Sequence, residues 1–121
     1  MEGAKKKILI VDDDSFLLDM YALKFSQNNF EVYTASSGFQ VLEKLKAGLS
    51  PDLILMDIIM PEMDGFEMLA KMNAEKLSTN SIKIILSNKS QQSDVEQGTS
   101  LGVAGYIVTA SSTPAEVIEQ V

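Results

Sequence analysis

Lys7-Ile8-Leu9-Ile10-Val11-Asp12-Asp13-Asp14 is the stretch that decides how this chain folds. Its apolar run does not alternate with polar residues, so both faces of the strand it forms must be covered, as in a parallel sheet. Working outward, Ser15 to Asn28 places Leu17, Leu18, Tyr21 and Phe25 at helical spacing, and Asn28-Asn29 breaks it. Glu31–Ala35 reads as a second strand. Ser37, with Gln40 three residues on, forms a capping box for a helix that Gly48 closes. Leu53–Met56 is a third strand, and Asp57 to Asp64-Gly65 a loop punctuated by Pro61. Phe66 to Lys76 is a third helix and Ile82 to Leu86 a fourth buried strand. Ser93-Asp94-Val95-Glu96 opens a fourth helix that Gly98 shortens and Gly102 ends, and Ala104–Val108 is a fifth strand. Thr113-Pro114-Ala115-Glu116 caps a fifth helix. Its apolar residues Val117, Ile118 and Val121 are still in phase where the chain stops, as in a helix cut at a domain boundary.

Five βα units joined by short loops require an α/β fold with right-handed crossovers and helices on both faces. The 121 residues, 45% of them hydrophobic, suit one domain, expected to span 1–121. The absent residue types narrow the chemistry. There is no Cys and no His, which excludes disulfides, thiolate sites, imidazole bases and histidine-bound metals. All 10 basic residues are Lys, so no guanidinium clamp exists. A net charge of −7 repels nucleic acid and anionic lipid, so neither is an expected partner of this domain. No apolar stretch approaches the roughly 18 residues a membrane span needs, and Lys5–Val11 is too short for a signal peptide. The expected location is the cytoplasm.

In such folds the loops at the carboxyl ends of the strands form the site, near the strand-order reversal. That rule selects Asp12, Asp13 and Asp14, Asp57, Ser87 and Thr109. Two carboxylates about 5 Å apart repel by roughly 3 kcal/mol at an effective dielectric near 20, and a cation relieves this. Oxygen ligands favour Mg²⁺, with Mn²⁺ or Ca²⁺ as substitutes. An aspartate beside such an ion is a nucleophile of a known kind, forming an acyl phosphate. Taken singly, each aspartate also reads as a helix cap or a turn residue, Asp14 above all.

The motifs Ile8-Leu9-Ile10-Val11-Asp12-Asp13-Asp14, Asp57-Ile58-Ile59-Met60-Pro61-Glu62-Met63-Asp64-Gly65, Leu86-Ser87 and Gly105-Tyr106-Ile107-Val108 strongly resemble the receiver domain of bacterial two-component response regulators. The match runs in order over essentially the whole chain. The resemblance implies a flavodoxin-like (βα)5 fold, a five-stranded parallel sheet of strand order 2-1-3-4-5. It implies that Asp57 is the phosphoacceptor, taking a phosphoryl group from a sensor histidine kinase or a small-molecule donor. Asp13, Asp57 and the Ile59 main-chain carbonyl would ligate Mg²⁺ directly, and Asp12 through water. Ser87 would be the switch hydroxyl and Tyr106 the switch aromatic; by themselves these two read as a strand-end hydroxyl and an edge-strand aromatic. It further implies a phosphorelay switch and not an enzyme, with a downstream effector domain or protein as partner. Homodimers through the fourth and fifth elements are common in that family.

The chain departs from the family where Thr109-Ala110 replaces the usual Lys at the end of the fifth strand. An ammonium at about 4 Å contributes on the order of 4 kcal/mol per unit charge at dielectric 20, before solvation is subtracted. Its loss is expected to weaken phosphorylation and to raise the dependence on Mg²⁺. Lys89, two residues after Ser87, is a candidate to replace that charge, against the plainer reading of a solvated lysine. A second hypothesis is a pseudo-receiver or an engineered variant that docks partners without phosphorylation. A third is a haloacid-dehalogenase-type phosphatase using Asp12 and Asp14, although Phe16 stands where that motif has Thr or Val.

Overall fold

The computed structural model describes residues 6–57, 60, 62–77, 81–87, 102–103 and 105–108. In chain order these form β1 (Lys6–Val11), α1 (Ser15–Gln27), β2 (Phe30–Ala35), α2 (Gly38–Lys46), β3 (Leu53–Met56), α3 (Gly65–Ala74), β4 (Ile82–Ser87) and β5 (Gly105–Val108). The strands pair in the order β2-β1-β3-β4-β5, all in parallel. This is the flavodoxin-like order expected from the resemblance. The fourth and fifth helices read from the sequence lie outside the described residues.

Non-alternating strands are explained by the two-sided core. Ile8, Leu9, Ile10 and Val11 are each at most 2% exposed, and neighbours in sequence enter opposite layers. Leu9, Val11, Ile54, Met56 and Ile85 pack with residues of α2 and α3. Ile8, Ile10, Leu53, Leu55, Ile84 and Leu86 pack with Leu18, Tyr21 and Phe25 of α1. Period-two side-chain alternation thus serves two cores at once, each apolar.

The helix starts follow side-chain capping. Asp14 accepts hydrogen bonds from the Phe16 and Leu17 N–H groups at 3.0 and 3.2 Å, and so caps α1. Ser37 accepts from Gln40 N–H at 3.2 Å, as its capping box requires. The return bond differs from that motif: Gln40 Oε1 accepts from Ser36 N–H, not from Ser37. The third helix begins one residue before the expected Phe66, because Asp64 caps it by accepting from Glu67 N–H at 2.8 Å. Gly38, the first residue of α2, lies where an added Cβ would stand 2.7 Å from Met63 Sδ. The close approach lets Met63 seal the loop after β3 against α2.

Glu62, exposed in that same loop, holds φ at +70°. A side chain in this left-handed region costs roughly 1–2 kcal/mol, while Asn tolerates it. Glu62→Asn is therefore expected to stabilise the fold by about 0.5–1 kcal/mol. The gain would appear as a higher urea midpoint with an unchanged denaturant slope.

Candidate functional site

The site arises from strand register. Val11 of β1 pairs with Met56 of β3, so the next residues, Asp12 and Asp57, emerge side by side. Both ladders run on past the strands: Asp57 N–H donates to Val11 O at 3.0 Å, and Asp12 N–H to Ala35 O at 3.2 Å. β1 lies between β2 and β3, so this is where the strand order reverses and the loops diverge. Asp12, Asp13 and Asp57 each bring a carboxylate oxygen to this edge, all within 4.8 Å of one another. Neighbouring strand ends thereby bring Asp57 to the consecutive pair Asp12 and Asp13, from which it is far in sequence.

Their environments differ. Asp12 is buried, Asp57 half-buried and Asp13 exposed. Asp12 Oδ1 accepts from Asp14 N–H at 2.9 Å, which fixes its orientation. Burial pushes the Asp12 carboxyl above its ordinary value, opposed by the Asp14 N–H and reinforced by the charges of Asp13 and Asp14. A buried acid beside two others is a poor place for three negative charges unless a cation joins them. The donor set consists of oxygens alone, which suits a hard divalent ion such as Mg²⁺ and not zinc.

Asp14 is not part of the cluster, because its carboxylate caps α1. That removes the second acid on which the phosphatase reading depended. Ser87 ends β4, opposite Val108 of β5, and Tyr106 pairs with Ile85; with Met56 also opposite Ile85, the Ser87 backbone reaches the same edge. The side chains of Ser87 and Tyr106, and all of Ile59, Lys89 and Thr109, lie outside the described residues.

One neighbour of the site was legible only as a core residue. Tyr21, in the second turn of α1, is 4% exposed and lines a cleft with Asp12, Leu55, Met56, Asp57 and Leu86. Helical side chains lean toward the helix N-terminus, and a long phenol on α1 therefore reaches back toward the strand ends. Burial raises the Tyr21 phenol above its ordinary value, and the charge of Asp12 adds to the effect.

Fold and site together define a doubly wound α/β domain with an acidic cluster at its topological switch point. Residues 8–120 match the family model for the response regulator receiver domain, and the chain belongs to that family. It is 40% identical over 103 residues to the chemotaxis protein CheY of Bacillus subtilis, covering 84% of this chain and 83% of that protein. It is 32% identical over 112 residues to the alkaline phosphatase synthesis transcriptional regulatory protein PhoP of the same organism. That match covers 93% of this chain but 45% of PhoP, so the chain spans about half the length of that relative. Among solved structures, the CheY-like receiver domain protein from Methanospirillum hungatei superposes with a TM-score of 0.86 at 27% identity, over 97% of this chain and 90% of that one. The chain is thus a signalling module of two-component systems. Among the described residues, no helix is long and apolar enough to cross a membrane.

Proposed function

We propose that residues 1–121 form one receiver module that accepts a phosphoryl group on Asp57 in a Mg²⁺-dependent reaction. The observation that carries this reading is the convergence of the Asp12, Asp13 and Asp57 carboxylates within 4.8 Å at the switch point. Asp57 and Asp13 would hold Mg²⁺ directly together with the Ile59 carbonyl, and Asp12 through water; Mn²⁺ or Ca²⁺ would serve in its place. The bound ion supplies charge neutralisation for an incoming phosphoryl group. A carboxylate oxygen of Asp57 forms the new O–P bond as the N–P bond of a phosphohistidine breaks, and the leaving imidazole nitrogen keeps its electron pair and takes up a proton. The donor is a sensor histidine kinase, which supplies the histidine this chain lacks.

Phosphorylation then biases the β4–β5 surface through Ser87 and Tyr106, and an effector domain or protein reads that surface. Self-phosphorylation and self-dephosphorylation are slow, because Thr109 neutralises no charge; Lys89 modulates them. The acidic surface fits a cytoplasmic domain that binds neither nucleic acid nor membrane itself, and the β4–β5 surface is where a homodimer would form. The test is incubation with Mg²⁺ and phosphoramidate. One added phosphoryl group on the peptide containing Asp57 is expected, and it is expected to disappear when Mg²⁺ is chelated. No adduct under either condition would instead favour a docking module that works without phosphorylation.

A further inference from the structure

Tyr21 carries a polar group that no hydrogen bond engages among the described residues. It is buried at 4% exposure. Buried tyrosine hydroxyls ordinarily find a partner, since leaving one unpaired forfeits its hydration without return. The cleft it lines is otherwise apolar apart from Asp12 and Asp57. Ionised carboxylates only accept, and a phenol can donate, so the two sides are complementary. A phenol also adds a donor without adding positive charge, so it holds a carboxylate without competing with a cation for it.

We propose that Tyr21 is a positioning residue for the acidic cluster, its hydroxyl donating to the Asp12 carboxylate when the cluster holds a cation. The proposal rests on the reading of Asp12, Asp13 and Asp57 as a cation site. Asp12 is already oriented on one side by the Asp14 N–H, and Tyr21 approaches from the α1 side of the sheet. The hydroxyl thereby favours the cation-holding arrangement over the cation-free one.

The test is Mn²⁺ binding to the full chain, followed by the electron paramagnetic resonance signal of the free ion. Tyr21→Phe keeps the ring and its packing and removes only the hydroxyl. Its dissociation constant for Mn²⁺ is expected to rise roughly five- to tenfold, about the net effect of losing one ordinary hydrogen bond. A constant within twofold of the parent would overturn the proposal and leave Tyr21 as packing alone. In an Asp12→Asn background, Tyr21→Phe is expected to have no further effect, because its acceptor charge is gone. The same loss in both backgrounds would also overturn it. The underlying reading fails separately: a parent chain whose Mn²⁺ uptake is absent, or unchanged by Asp13→Asn, has no such site.

Discussion

Asp57→Asn is expected to abolish acyl-phosphate formation and, in the absence of divalent cations, to make the protein more stable. The first half follows from chemistry: an amide oxygen is no nucleophile for phosphorus. Asp14 is held as the cap of α1, and Asp12 is buried at 7% exposure. The second half follows from repulsion. Carboxylate oxygens within 4.8 Å interact unfavourably by about 3 kcal/mol at an effective dielectric of 20, and by nearer 1 kcal/mol where water reaches them. With Asp57 half-buried and Asp13 exposed, the lower figure applies. A gain of about 1 kcal/mol is therefore expected, read as a higher urea midpoint in EDTA. The same variant should lose most of the stabilisation that Mg²⁺ confers on the parent. A midpoint that falls in EDTA would mean that Asp57 is stabilised by its surroundings more than it is repelled by its neighbours.

Much of this was legible in the chain because one physical demand wrote itself locally. A strand covered on both faces must be apolar throughout, so Ile8–Val11 and Leu53–Met56 announced a parallel sheet. Strand order is different: nothing within β1 says that it lies between β2 and β3, and the order came from the resemblance. The approach of Asp12 to Asp57 depends on that order and on the Val11–Met56 register, which are long-range facts. The start of β4 misled the simple pattern. Ile82 is 50% exposed at the rim of the sheet while Lys83, one residue on, is 6% exposed. Lysine buries its aliphatic stem at that position, and its ammonium approaches Ser81 O at 3.5 Å. Burial lowers the Lys83 pKa, as removal from water must for a cation. Tyr21 shows the same limit from the other side: helical spacing assigns it to the core, but which polar group it meets there is set by the tertiary fold.

Saturating Mg²⁺ is expected to raise the melting temperature at neutral pH and to lose that effect in acid. Burial first, and the neighbouring acids after it, raise the Asp12 pKa from its ordinary 3.8 in the folded state. The folded protein then binds more protons than the unfolded chain between those two values, and stability falls as pH rises through them. The stability tied to protonated Asp12 is thus fully present below about pH 3.8 and is lost once the pH passes the folded value. At neutral pH the cation-free cluster carries its full repulsion, and a divalent ion binding the folded state alone offsets it. At a hundredfold excess over its dissociation constant such an ion stabilises by about 2.7 kcal/mol, or roughly 10 °C in a domain of this size. In acid, protons compete with the ion for Asp12, whose pKa burial raises, and the shift should shrink. Differential scanning calorimetry with and without Mg²⁺ at both pH values, with KCl matched for ionic strength, separates site binding from screening. An equal shift at both pH values, or an equal shift with KCl, would place the effect outside Asp12, Asp13 and Asp57.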